Sequence, residues 1–389
     1  MNRRLQIFLL LFLHISLFGQ ADLDTTINTK IQIGGYIKYL HSAYVFQKNA
    51  IYTDQLLHHR LNLRQKLNKN HQWVAEIRDR VLYGQFVQLN QFTGPYLNTI
   101  DLNRNKLLHL SAGWESNKGI AALMEVDRAY WQWTPRDWEI RIGRQRVNWG
   151  ISTLWNPNDL FNAYSFTDFD YEERPAVDGI RIKKYIGYSG SLESIVSVGK
   201  NLNDISYGFL YKTNIKTYDL QFLTGYSDQY FALGAGTAGN IGLAGVKAEV
   251  TTFVPKDRGN VLYAATMAID YTWKNGIYLS EGVLYNSSGS ISGDLSSLFN
   301  FKLSARNLYP FRWSLLTSIQ KEINPLLRAG LVIVYSPVQA HALFINPTIS
   351  YSIASAWDLD LVSQLAFNSS ANGYISPLKG FYLRLKWSY

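Results

Sequence analysis

From residue 381 to its end the chain alternates strictly. Phe381, Leu383, Leu385, Trp387 and Tyr389 fall on one side of an extended strand, and Tyr382, Arg384, Lys386 and Ser388 on the other. Leu57, Leu61, Leu63 and Leu67 oppose Arg60, Asn62, Arg64 and Lys66 in the same way, as Trp357, Leu359, Leu361, Leu365 and Phe367 oppose Asp358, Asp360, Gln364 and Asn368. Short turn signals separate such segments, among them Pro135-Arg136-Asp137, Gly236-Thr237-Ala238-Gly239, Lys274-Asn275-Gly276 and Asn324-Pro325. Longer polar connections lie at 87–118, 150–176, 287–306 and 369–378.

Short turns alternating with long loops, and one apolar face per strand, predict an all-β fold: a single antiparallel transmembrane barrel with short periplasmic turns and long extracellular loops. Spans are expected near 30–46, 56–69, 71–86, 119–133, 138–149, 177–187, 190–199, 204–213, 216–227, 229–236, 239–254, 259–273, 276–287, 307–322, 325–336, 341–353, 357–368 and 379–389. That is eighteen, with both termini periplasmic; sixteen is the alternative count, because 229–236 rests on the parity of strand direction. A secreted sandwich or propeller would also alternate, but its outer face would be polar, and no repeat of fixed period accompanies these strands.

Composition agrees with the barrel. Only 17% of the 389 residues are charged, 47% are hydrophobic and 14% aromatic, while the mean hydropathy is only −0.12. The 26 Tyr, 19 Phe and 11 Trp suit the aromatic girdles of a barrel better than a greasy helix. The uncharged stretch Gln229–Val246 carries five glycines and so predicts strands and turns rather than a spanning helix.

At the N-terminus, Asn2-Arg3-Arg4, an apolar run from Leu5 to Phe18, and Gly19 and Ala21 around Gln20 have the layout of a secretory signal peptide. The expected organisation is therefore a signal peptide over 1–21 and an outer-membrane barrel over 22–389. Removing Arg3 and Arg4 takes the net charge from +9 to about +7. Some ten residues, 22–31, then precede the first strand, too few for a plug domain.

If the apolar face meets lipid, the opposite face lines the lumen, and there the expected basic residues outnumber acidic ones fifteen to eight. The segment Trp138–Gly150 changes parity, which predicts a one-residue bulge near Gly143 that turns Arg144 and Arg146 inward beside Arg141. This basic ladder, with Glu139, Arg181, Lys183, Arg60 and Arg64, is the expected selectivity lining. The loop 151–176 carries Asp168, Asp170, Glu172 and Glu173, and is expected to fold into the lumen as a constriction; a lid across the extracellular rim is the alternative.

Gly143-Arg144-Gln145, Asn148-Trp149-Gly150 and Asn156-Pro157-Asn158-Asp159-Leu160, with the later segments Gly245–Glu249, Asp270–Trp273 and Glu281–Asn286, resemble a porin-like family of bacterial outer-membrane proteins of unassigned function. The Gly-Arg-Gln part also resembles the alginate-export barrel. The resemblance implies an outer-membrane channel and names no substrate; Lys247 departs from the Arg expected in that strand.

No enzyme is expected. The histidines beyond the signal segment, His41, His58, His59, His71, His109 and His341, are scattered, and no HExxH, GxSxG, P-loop or zinc spacing occurs. With no cysteine, thiolate sites are excluded. The sequence therefore predicts no cofactor, no metal and no nucleic-acid partner. Its partners are outer-membrane lipid, a small polar or anionic solute, and the assembly machinery that reads the C-terminal strand. The leading expectation is a porin for small polar, anionic solutes. The alternatives are a closed surface barrel that binds glycan or takes part in envelope assembly, and a lipid-modifying barrel enzyme.

Overall fold

The computed structural model describes residues 31–46, 50–104, 106–163, 170, 175–201, 204–292, 302–370 and 373–389. The expected signal segment lies outside them, as do Asp168, Glu172 and Glu173. The strands are β1 (Ile31–Phe46), β2 (Ile51–Lys66), β3 (His71–Gly84), β4 (Ser111–Ser116), β5 (Ile120–Trp133), β6 (Trp138–Gln145) and β7 (Val177–Ile186). They continue as β8 (Gly190–Ser197), β9 (Ser206–Ile215), β10 (Tyr218–Ser227), β11 (Tyr230–Ile241), β12 (Ala244–Pro255) and β13 (Leu262–Thr272). The last six are β14 (Ile277–Asn286), β15 (Trp313–Asn324), β16 (Leu327–Ser336), β17 (Ala342–Ala354), β18 (Trp357–Ser370) and β19 (Gly373–Ser388). Two short helices, α1 (Gln85–Gln91) and α2 (Leu97–Ile100), stand in the first long loop.

All pairings between these strands are antiparallel, and the ring closes between β1 and β19, from Tyr36↔Ser388 to Phe46↔Leu378. Closure satisfies the backbone hydrogen bonds of both end strands, which lipid cannot do. Tyr389 completes the seam. Its main chain exchanges hydrogen bonds with Gly35, and its phenol bridges the Arg60 carbonyl and the His59 ring, whose other nitrogen lies 2.9 Å from Asp79.

Among the described residues, nineteen strands fill eighteen positions, because two of them share one. β6 pairs with β5 only at Ala129–Trp133 and stops at Gln145, where the chain leaves the wall. The other end of β5, Ile120–Glu125, would then lack a neighbour on that side, and β4 takes the vacated place, pairing Ser116↔Ile120 through Ser111↔Glu125. By its sequence, β4 falls within the long connection 87–118. Six residues are too short for a clear period-two signal.

The alternation assigns the outer face well: Leu57, Ile142, Val250, Leu315, Leu361 and Leu383 are all exposed there. Two expectations are corrected. The turn placed at 236–239 lies instead at Gly242-Leu243, and the β11–β12 ladder runs through Gly236↔Glu249 and Gly239↔Val246; Gly242, at φ 62, supplies the left-handed conformation such a turn needs. The bulge expected at Gly143 is absent, since the β5–β6 and β6–β7 registers pass through it without a slip. The register shift falls in β5 instead, where Glu76 pairs with Arg128 and Ile77 with Val126, leaving Asp127 extra.

Leu383 sits on the lipid face of the closing strand, 44% exposed. Leu383→Lys would place charge in the hydrocarbon band at a cost of ~2–4 kcal/mol near mid-membrane. We expect the variant to lose most of its heat-modifiable, folded band in cold-detergent electrophoresis. An unchanged folded fraction would show that this strand does not face lipid.

Candidate functional site

After Gln145 the chain turns inward and crosses the lumen, held at three places by inward-facing side chains. The first is on β8–β12. Trp149 donates its indole N–H to Glu193 (2.7 Å), and its carbonyl accepts from Gln221 (2.8 Å). Glu249 gathers three backbone N–H groups: Ile151 and Ser152 (2.6 Å) on Oε1, and Asn158 (3.1 Å) on Oε2. The Asn158 side chain reaches the Ala235 carbonyl (3.0 Å) and accepts from Thr251 (2.6 Å). A buried loop must find partners for its backbone, and here the wall supplies them.

The glycines of this wall make the close approach possible. A Cβ on Gly234 would lie 2.6 Å from Asn158 Oδ1, and one on Gly208 would lie 2.7 Å from the Trp149 ring. The glycine-rich stretch that reads as turns is thus partly a docking surface.

The second hold is apolar. Trp155, 2% exposed, packs with Leu284, Val334 and Phe344 on the inner faces of β14, β16 and β17, and with Tyr309 and Phe311 of the loop before β15. The third is ionic. The Lys38 ammonium of β1 lies 3.0 Å from Asp170, His58 of β2 lies 3.3 Å from it, and Arg384 of β19 lies 3.8 Å away. Burial alone would raise the Asp170 carboxyl, but the hydrogen bond from His58 and the Lys38 charge outweigh it and hold it well below the ordinary carboxylate range. The described part of the loop therefore lies inside the barrel rather than over the rim.

On the lumen wall, Arg60, Arg78, Arg80 and Arg128 interlock with Glu76, Glu125 and Asp127. Glu125 and Asp127 share a face by simple alternation; the extra residue in β5 is what brings Arg128, of the opposite parity, onto that face as well. A second group lies on β6–β8: Arg141 is 3.2 Å and Arg181 3.4 Å from the same oxygen of Glu139, and Arg181 also meets Glu193 (2.9 Å). Every base in these two groups is shared with an acid. The first group holds four bases against three acids and the second holds two against two, so the local excess is smaller than the inward count suggested.

Of the expected site residues, Arg141, Arg181 and Glu139 come together, and Arg60 belongs to the neighbouring network. Arg64 is exposed near the turn between β2 and β3, and Lys183 lies 4.7 Å over the Tyr185 ring. Asp170 is the loop's ionic hold. Arg146 stands half-buried where the loop begins, outside any strand. Arg144 does not join Arg141: with no bulge it has the opposite parity, and it is 2% exposed in a pair with Asp178 (2.6 and 2.8 Å). The tethers Glu249, Glu193, Lys38 and His58 are not among the site residues expected from the sequence; inward parity is the signal that marks them there.

No protein-family model matches the sequence, and no curated protein does. Solved structures share the fold at low identity. A BenF-like porin from Pseudomonas fluorescens Pf-5 superposes with a TM-score of 0.59 at 9% identity, over 93% of this chain and 99% of that one. OccAB4 of Acinetobacter baumannii gives 0.59 at 10%, over 94% and 100%. OpdK of Pseudomonas aeruginosa, solved with vanillate, gives 0.55 at 11%, over 92% and 98%.

Glu249→Gln keeps the side chain's size but leaves one acceptor oxygen for three N–H groups, and each orphaned buried donor costs about 1–3 kcal/mol. We expect trypsin to cut after Arg146 severalfold faster while the barrel stays heat-modifiable. Equal cleavage of variant and parent would show that the loop does not depend on this carboxylate.

Proposed function

We propose that the chain is an outer-membrane channel for small polar solutes, with anions favoured, in which the inward loop forms the constriction. The observation that carries this reading is the loop itself: it is tethered to the lumen wall on three sides, while polar residues on the same inner face, Gln320, Glu322 and Arg328, stay exposed toward the periplasmic end. A tethered loop narrows a passage without needing chemistry, and selectivity then follows from size and field. Likeness of fold to a BenF-like porin and to OpdK, the latter solved with the aromatic carboxylate vanillate, supports the same direction. In this reading the C-terminal strand also serves as the signal for assembly into the membrane.

Anion preference would come from Arg141 and Arg181, whose side chains are 23% and 13% exposed, with Glu139 partly offsetting them. A second reading, a closed barrel, draws on the apolar packing around Trp149 and Trp155.

Single-channel current in planar bilayers decides between them. An open pore conducts and, in a salt gradient at low ionic strength, shows a reversal potential on the anion-selective side. Replacing both Arg141 and Arg181 by Gln removes two charges and should shift that potential toward cations, with the shift fading near 1 M salt, where the Debye length is ~3 Å. No current from the parent would favour the closed barrel. An unshifted potential in the double variant would return these residues to bracing the wall.

A further inference from the structure

The loop leaves the wall just after Arg144 and returns just before Asp178. These two residues are register partners on β6 and β7 and form the neck of the excursion. Arg144 also does something no strand brace requires. Its guanidinium donates to the Asn103 side chain (2.8 Å), to the Val126 carbonyl of β5 (3.0 Å) and to the Leu108 carbonyl, besides both oxygens of Asp178. Asp178 in turn accepts from the Leu108 N–H (3.2 Å), and Lys106 reaches the Ala176 carbonyl at the loop's returning end.

Asn103, Lys106 and Leu108 belong to the segment that leads into β4. That strand has a ladder to β5 only; toward β8, the segment 101–116 makes a single bridge, Lys106↔Gly199, among the described residues. The insert that fills the gap in the wall is thus well fastened on one side and held on the other mainly through the neck of the constriction loop.

We propose that Arg144 is a positioning residue that makes this wall insert and the constriction loop one mechanical body, so that the loop's position in the lumen depends on the insert's seating. The proposal rests on the channel reading above for its electrical consequences, and on geometry alone for the coupling. Arg144 does not act as a charge in the filter: it is buried, and the five bonds above direct its fork at Asp178, the insert and the β5 backbone rather than the lumen. A lysine could not substitute, since an ammonium has no planar fork to serve four partners at once.

The test uses the full chain with two readouts, bilayer current and limited trypsin digestion. Trypsin sites exist in the insert, after Arg104 and Lys106, and at the loop's start, after Arg146. In Arg144→Lys we expect cleavage at the insert and at Arg146 to rise together by about tenfold, the equivalent of ~1.4 kcal/mol. We expect closing events to become severalfold more frequent, with the reversal potential unchanged. Asn103→Ala, which keeps Arg144 and Asp178 paired, should loosen the insert and raise cleavage at Arg146 to a lesser degree; it serves if the lysine variant does not fold.

A third variant separates coupling from bracing. The chain has no cysteine, and paired residues on antiparallel strands lie ~4.5–5.5 Å apart at Cα, within disulfide reach. Oxidised Arg144→Cys/Asp178→Cys should therefore close the neck and slow cleavage at Arg146, yet leave the insert sites fast. Full return of both cleavage rates and of quiet current in that variant would overturn the proposal, leaving Arg144 as a strand brace. So would a shifted reversal potential in Arg144→Lys, or insert cleavage rising without the Arg146 site. If the parent carries no current, the channel reading fails on its own while the digestion still decides the coupling.

Discussion

Every backbone N–H and C=O in a wall facing lipid needs a partner within the protein, and the remaining architecture follows from how that demand is met. An unbroken ring meets it by pairing each strand twice. Here one strand leaves the ring early: β6 stops at Gln145 so that the chain can enter the lumen, and the exposed edge of β5 would otherwise face hydrocarbon. The insert that supplies β4 is the structural answer to that departure. The inward loop and the insert are therefore two halves of one rearrangement, which is why their contacts converge at a single point in the wall.

The sequence carries the ring more clearly than its contents, and the reason is the range of the interactions involved. Which face of a strand meets lipid is decided residue by residue, so Leu57, Leu315 and Leu383 announce it locally. The function of Gly234 and Gly236 is set by Asn158, some eighty positions away, and nothing near them distinguishes a glycine that accommodates an incoming side chain from one that makes a turn. Gly143 misleads for a related reason. Its change of parity is absorbed where the strand ends and the chain turns inward, while the extra residue that does exist, Asp127, lies in β5 among charged neighbours that look equally plausible on either face.

The same distinction governs the charges. A list of inward bases is legible in the sequence, but the field they produce depends on partners from other strands. Arg60 meets Glu76 of β3 and Asp127 of β5, and Arg181 shares Glu139 and Glu193 with β6 and β8. In a partly desolvated wall, an unpaired guanidinium would be costly, so pairing is the expected outcome wherever acids are within reach. What remains on the inner wall is the imbalance after pairing, a smaller quantity than the sum of the bases.

A loop that crosses a barrel lumen faces opposing demands: it must leave the wall to cross, yet a buried backbone without partners would not stay folded. The three holds resolve this by using different chemistry at different distances. Where the loop lies against the wall, at Glu249 and Asn158, the partners are backbone groups and the wall is cleared by glycine. Where it crosses to β14–β17, the large side chain of Trp155, with Leu154 beside it, makes an apolar contact with the wall. At Asp170 the wall reaches out instead, with the long side chains of Lys38 and Arg384. The loop's distance from the wall is thus set by side-chain length at each hold, and the pair Arg144–Asp178 stands where the loop leaves and rejoins the wall.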